Sequence, residues 1–274
     1  MWKQVESGVL SDLLAVQTWP DGRSIAVGRA GVVLRREHGR WGRETPPFSE
    51  DLYGVWGLSA DDYIAVGGNL DVGGQSKILR HRAGHWSIER SGIQSLLLSA
   101  SGRSAEDVRA VGFNGGIVEW TPTGWREIDA KTNEHLFAIA AVEDRWVVAG
   151  LHGTVQEWRS EGWQRCLVAE SHFTALASDA NSVFVVGYDR GVFRRPHGRS
   201  IWKREAVPIN AHLFGVTATA TSVVACGSKG AMIRRHDTGW IADAVPTEVD
   251  LFGISGSGET IVAVGARGTV LVSS

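Results

Sequence analysis

Cysteine is close to absent. Cys166 and Cys226 are the only two in 274 residues, too few for a disulfide framework, so free thiols and a cytoplasmic setting are expected. Proline and methionine are also sparse, at 7 and 2, and neither sign of charge dominates: 28 basic and 30 acidic residues leave a net charge of −2. Such a balance carries no electrostatic footprint for nucleic acid or for an anionic membrane surface. No apolar run is long enough to span a bilayer. The opening "MWKQVESGVL" has no apolar core behind a basic start, so a secretory signal is not expected.

What is abundant is glycine, at 34 residues, and tryptophan, at 12, within a chain that is 43% hydrophobic. A chain of this size buries about 75% of its unfolded surface, and the composition is too apolar for disorder. Glycine-rich turns between short apolar stretches point to a β fold.

Internal repetition decides the architecture. The stretch "AVGRAGVVLRREHGRW" (26–41) recurs in weakened form as "AVGFNGGIVEWTPTGW" (110–125), "VAGLHGTVQEWRSEGW" (148–163), "VVGYDRGVFRRPHGRSIW" (185–202), "ACGSKGAMIRRHDTGW" (225–240) and "AVGARGTVLVSS" (263–274), with a longer version at 65–86. Trp2, Trp41, Trp86, Trp125, Trp163, Trp202 and Trp240 mark seven repeats, at intervals of 39, 45, 39, 38, 39 and 38 residues. Each repeat reads as four short β segments, A to D, typified by "LYGVWG", "YIAVG", "KILRHR" and "WSIER". None has a helical apolar period.

Four strands per unit of about 40 residues is the signature of a β-propeller blade. The expected fold is therefore all-β, a seven-bladed propeller of four-stranded antiparallel blades in a single domain over 1–274. The blades fall at about 12–45, 51–90, 95–129, 135–168, 172–206, 212–244 and 250–274 plus 1–7. Two positions after the first Leu or Phe of each A segment stand Ala15, Gly54, Leu98, Ala138, Ala175, Gly215 and Gly253. Six of the seven are small, as converging sheets require. The chain starts with a D-type strand and stops after a C-type one, so its ends are expected to pair, closing the ring and removing an exposed edge.

The repeats resemble the bacterial WD40/YVTN/BNR-like propellers, particularly those reading "LxGVWG…AVGxxGxILR…GxW", over essentially the whole chain. No repeat pairs the Gly-His and Trp-Asp dipeptides of eukaryotic WD40 proteins, and the sialidase-type Ser-x-Asp-x-Gly-x-Thr-Trp box is missing.

Several apparent sites have plain structural readings. The glycine pairs 28/31, 112/115, 150/153, 227/230 and 265/268 lie between two strands. A phosphate loop needs a following helix, so these read as hairpin glycines with positive φ. Arg35-Arg36, Arg194-Arg195 and Arg234-Arg235, with Arg80 and Arg82, fall on C segments, where cross-strand pairing with Glu44, Glu89 and Glu205 on D segments is expected in preference to a basic docking sector. His135 with Cys166, or Asp51 with His212, form catalytic pairs only on paper. No nucleophile elbow, His-Glu-x-x-His or glycosidase-like carboxylate pair is recognisable, so no enzyme, cofactor or metal is expected.

Just before the A segments stand Asp12, Asp51, Ser95, His135, His172, His212 and Asp250. They set a histidine arc opposite an aspartate arc on the rim. Either they bond the preceding turn or they recognise a partner at the channel mouth. The D-to-A connections share one face with the B-to-C tips, which include Arg29, Leu70, Asp71, Val72, Phe113, Asn114, Leu151, His152, Tyr188, Asp189, Lys229 and Arg267. The large apolar side chains at these tips, Phe113, Leu151 and Tyr188, read either as a binding surface or as loop-on-loop packing; the first is the expectation. The partner-binding set is thus Arg29, Asp71, Phe113, Leu151, His152, Tyr188, Lys229 and Arg267 with His135, His172 and His212.

The resulting expectation is a monomeric, non-enzymatic propeller that binds another protein. Its most specific form is a bacterial immunity, or antitoxin-like, protein that neutralises a delivered toxin domain through one loop face. The alternative is a glycan-binding lectin-type propeller, which requires an equivalent aromatic pocket on each blade. An assembly factor for membrane complexes is the third class, and calls for an export or anchoring segment.

Overall fold

The A segments are apolar on both sides and become the innermost strands, where each meets two neighbouring blades. The computed structural model describes residues 1–69, 76–160, 162–166 and 168–273. Among them, seven four-stranded antiparallel sheets are arranged around an axis, each ordered A-B-C-D from the centre outward. Blade 1 consists of Leu13–Thr18, Ser24–Gly28, Val33–Glu37 and Arg40–Glu44. The inner strands of blades 2 to 7 are Asp51–Ser59, Leu97–Gly102, Leu136–Val142, Phe173–Ser178, Leu213–Ala218 and Leu251–Ser257. Every B strand is buried along most of its length, because it is covered on both faces by adjacent blades.

The seventh blade is closed by the N-terminal strand Trp2–Val5, which pairs antiparallel with Val270–Ser273. Trp2 is buried and its Nε1 donates to Asp243 of blade 6 at 3.0 Å, so closure also ties blade 7 to its neighbour.

Side chains on the outer strands account for the arginine pairs. Arg80 meets Glu89 at 2.8 Å, Arg234 meets Asp243 at 2.9 Å, and Arg35 meets Glu44. Each of these acids stands three residues after the blade's marker tryptophan. The next blade uses the same acid: Trp125 Nε1 donates to Glu89 at 2.7 Å and Trp240 Nε1 to Glu205 at 2.7 Å. Blades 3 and 4 carry Ile128 and Cys166 at the acid position. Accordingly the indole N–H of Trp163 is buried without a hydrogen-bond partner among the described residues, and the Trp202 indole has only the Cys166 sulfur at the acid position. Blade 4 places its acid on the C strand instead, where buried Glu157 pairs with buried Arg195 of blade 5 at 2.6 Å.

One expectation needs correction. In blade 3 the residue equivalent to Leu13 is Leu97, one position later than the A-segment alignment used for Leu98 and Ser95. Its register, Leu97 opposite Gly112 and Ser99 opposite Val111, matches Leu13 opposite Gly28 and Ala15 opposite Val27. The small residue is therefore Ser99, which makes all seven small, and the residue opening the strand is Leu96.

Two outcomes follow. Trp2→Ala removes a core indole and the bond to Asp243, and should cost about 3 to 5 kcal/mol; deletion of residues 1–7 should lower the thermal midpoint further. Equal midpoints for full-length and truncated protein would show that the terminal strand does not hold the ring. Glu157→Ala leaves Arg195 buried beside an empty space and should destabilise by about 3 to 5 kcal/mol in denaturant unfolding.

Candidate functional site

The face that gathers the B-to-C turns and D-to-A connections is shaped by a device repeated in every blade. Between the first residue of each A strand and the small residue, the register slips by one: Leu13/Ala15, Leu52/Gly54, Leu97/Ser99, Leu136/Ala138, Phe173/Ala175, Leu213/Gly215 and Leu251/Gly253. The extra residue is a β-bulge, which re-aims its side chain out of the sheet. The seven bulged residues are Leu14, Tyr53, Leu98, Phe137, Thr174, Phe214 and Phe252, and all line the axial channel. All are half-buried, and four of the seven are aromatic.

The turns beside this ring are tight and left-handed. In blade 1, Ala30 and Gly31 have φ of 54° and 65°, and the pattern repeats at Asn114-Gly115, His152-Gly153, Lys229-Gly230 and Arg267-Gly268. Thus only the second glycine of each pair supplies positive φ. The first is extended and is required for another reason: at Gly28, Gly112, Gly150, Gly227 and Gly265 a Cβ would overlap the carbonyl oxygen of the residue that opens the blade's own A strand. Blade 5 places Asp189 and Arg190 in the left-handed positions, at φ 55° and 58°.

Each of the six described turns reaches over the next blade. The main-chain N–H of the left-handed residue donates to the side chain that opens the following A strand: Ala30 to Asp51, Asn114 to His135 Nδ1, His152 to His172 Nδ1, Asp189 to His212 Nδ1, Lys229 to Asp250 and Arg267 to Asp12. The rim histidines and aspartates therefore bond the turn of the preceding blade. Leu96, the blade 3 equivalent, is buried and apolar. Residues 70–75, and with them the predicted Leu70, Asp71 and Val72, lie outside the described residues.

The remaining members of the predicted set separate into two arcs. On blades 3 to 6, Phe113 lies 4.5 Å from His135 and 6.5 Å from Phe137, between ring centroids. Tyr188 meets His172 at 6.0 Å, His212 at 5.0 Å and Phe214 at 6.3 Å, and Phe214 meets Phe252 at 6.0 Å. His152 packs on His172 at 5.1 Å and Leu151 is half-buried beside it. The second arc is charged. Arg29 pairs with Asp51 and lies over the Tyr53 ring, while Lys229 and Arg267 project from exposed turn positions.

Burial would raise the Asp51 carboxyl, but the Ala30 amide and the Arg29 guanidinium outweigh it and hold the group below the usual carboxylate range. Cys166 directly follows the outer strand of blade 4, Gly162–Arg165, where burial first and Glu157 second push its thiol up to about 11. It is not placed with His135. Asp51 and His212 likewise have separate partners. Among the described residues no three His, Cys, Asp or Glu side chains form a metal-binding group, and no helix is long and apolar enough to cross a membrane.

The predicted set missed the bulge ring and Leu10. Leu10 is 88% exposed in the D-to-A connection beside Arg267. The ring had a signal in the sequence, the aromatic third residue of "DLYG", "HLFA", "HLFG" and "DLFG", but strand alternation alone would send it into a blade interface.

No family model and no curated protein matches the chain. Solved structures do. YCF48 from Cyanidioschyzon merolae superposes with a TM-score of 0.77 at 18% identity, over 99% of this chain and 98% of that one. YCF48 bound to D1 peptide gives 0.78 at 12% identity, over 99% and 94%. Virginiamycin B lyase from Staphylococcus aureus reaches 0.86 at 11% identity, over 100% and 99%. The WD40 propeller of Doa1 gives 0.79 at 13%, over 99% and 95%. The likeness establishes the WD40-like propeller fold.

The Asp51 corner yields a pH test. A carboxyl held low in the folded state contributes stability that is present above its unfolded value and lost as pH falls through the folded one. Asp51→Asn should therefore unfold at a lower temperature than the parent at pH 7, and the gap should close below about pH 3 to 4. Parallel melting curves across that range would contradict the assignment.

Proposed function

We propose that this protein is a non-enzymatic binding propeller that takes a polypeptide on the channel-mouth face. The observation that carries the reading is an arc of half-buried rings in two contact groups: Phe113 with His135 and Phe137, and Tyr188 with His172, His212 and Phe214, the last of which meets Phe252. Aromatic side chains with one face packed and one face open supply large contact area at small conformational cost, and are the usual anchors of protein interfaces. The charged corner of Arg29, Asp51 and Tyr53 on the other side gives the face polarity, which orients a partner.

A peptide-bound neighbour of the same fold, YCF48 with D1 peptide, supports a polypeptide as the ligand class. Fold alone does not decide between binding and catalysis, since a lyase shares it; the reading rests on the character of the face. In its finer form the protein is a cytoplasmic, monomeric immunity protein whose partner is a delivered toxin domain. The asymmetry of the face suits a single protein partner. The lectin alternative calls for an equivalent open aromatic pocket on each blade, whereas the recurring tryptophans pack between blades.

Affinity capture from the native organism, run with the parent and with a Phe137→Ala/Tyr188→Ala/Phe214→Ala variant, tests the face. A partner retained only by the parent is expected. Calorimetry with that partner should then show about 2 kcal/mol or more lost on each of Phe113→Ala, Leu151→Ala and Tyr188→Ala. Asp144→Ala, in an A-to-B turn on the opposite face, should bind like the parent. If Asp144→Ala is the damaging change, the interface is on the wrong face; if retention depends on a free sugar, the ligand is a glycan. Relief of growth arrest on co-expression with the captured partner checks the immunity form.

A further inference from the structure

Six blades open their inner strand with a side chain that accepts the N–H of the preceding turn, and the acceptor is of two chemical kinds. Asp12, Asp51 and Asp250 hold the amides of Arg267, Ala30 and Lys229, each at 2.9 Å. His135, His172 and His212 hold those of Asn114, His152 and Asp189 at 3.0, 3.2 and 3.1 Å, in every case through Nδ1. A main-chain amide is only a donor, so the nitrogen facing it must carry a lone pair. Neutral imidazole offers one. Imidazolium carries a proton on both nitrogens and presents N–H to N–H. A carboxylate keeps its lone pairs to far lower pH.

We infer that the three histidines form a set of acid-released latches between blades. When the rings take up a proton, the turns of blades 3, 4 and 5 lose this bond to the following blade, while the aspartate-held turns of blades 1, 6 and 7 keep theirs. The released turns carry Phe113, Leu151 with His152, and Tyr188, which are the apolar tips of the aromatic arc. Release therefore repositions half of the binding face and leaves the charged half fixed. That consequence for binding rests on the polypeptide-binding reading; the latch chemistry does not.

The surroundings of each ring shape the response. His135 is stacked on Phe113, and its chain neighbour Glu134 is engaged by His152 Nδ1 at 2.7 Å. His172 has His152 and Tyr188 as ring contacts, and His152 in turn holds Glu134. His212 faces the Asp189 carboxylate at 3.9 Å and shares a cavity with Arg190, Lys229 and Asp250. Protonated His212 can donate Nδ1–H to the Asp189 side chain, exchanging a main-chain bond for an ion pair. A second, non-titrating bond keeps two of the turns hinged: Gly115 N–H to the Glu134 carbonyl at 2.8 Å and Gly153 N–H to the Ser171 carbonyl at 2.6 Å. The event is thus a local shift of the tips with the blades intact.

Amide hydrogen exchange on the full chain at about pH 7.5 and about pH 5.5, each rate divided by the intrinsic rate at that pH, reads the six latches directly. Protection at Asn114, His152 and Asp189 should fall about tenfold on acidification, the loss of one hydrogen bond. Protection at Ala30, Lys229 and Arg267 should stay constant. A His135→Asn/His172→Asn/His212→Asn variant retains a side-chain acceptor that does not titrate, and should abolish the fall. The reciprocal Asp250→His should create one at Lys229, and serves if the triple variant does not fold. An equal change at all six amides, no change at the histidine-held three, or a fall that survives the Asn substitutions overturns the latch. If the latches respond as stated but affinity for a captured partner is independent of pH, the latch stands and the placement of the partner on this arc fails.

Discussion

One steric constraint organises the molecule. At the end of each B strand one residue passes so close to the carbonyl that opens the A strand that no side chain fits between them. Glycine stands there in all seven blades, at positions 28, 67, 112, 150, 187, 227 and 265, and a Cβ at any of them would overlap that carbonyl. In the six blades whose turn is described, the chain then enters a left-handed turn that leans over the next blade. The rim side chains then have a fixed amide to bond, and the tip residues have a fixed place above the channel. The turn-to-rim hydrogen bonds and the placing of the tip residues are consequences of one packing problem.

Outside the axis, the blades are joined by charge and by indole N–H groups. An acid three residues after the marker tryptophan takes an arginine from its own blade, and in blades 2, 5 and 6 it also takes an indole from the next. Glu44 of blade 1 is used by the Tyr63 hydroxyl of blade 2 in the same way. The pattern changes consistently where the acid is replaced. Blades 3 and 4 exchange arginine for Glu119 and Glu157 on the C strand, and these acids find Arg109 and Arg195. Buried arginines lie on indole rings as well, with Arg109 over Trp158 at 4.9 Å and Arg195 over Trp202 at 5.4 Å. The arginines of the outer strands are thereby engaged by acids of the ring itself.

Much of this was legible in the residues. Repeat spacing, four segments per repeat and complementary chain ends led directly to a seven-bladed ring closed by the first strand, because these features are local and recur. The shared face of tips and rim residues was legible too, since connectivity alone places both at one end of the blades. Less visible was the one-residue offset in blade 3. "SLLLSASG" offers three successive leucines that align equally well, and only pairing with Gly112 selects Leu97 as the first strand residue.

What the sequence by itself determined is the architecture: strand content, blade number, the phase of closure and the pairing of outer charges, all set by period and by near neighbours along the chain. What only the tertiary structure decided is the character of the face. A bulge cannot be told from regular alternation in a single strand, so the aim of Tyr53, Phe137, Phe214 and Phe252 into the channel mouth appears only once the B strand fixes the register. Nor can a linear pattern show that His135, His172 and His212 accept amides from turns about twenty residues earlier in the chain and one blade away. Those contacts arise from the angle at which neighbouring sheets converge on the axis, a property of the closed ring and of no single repeat.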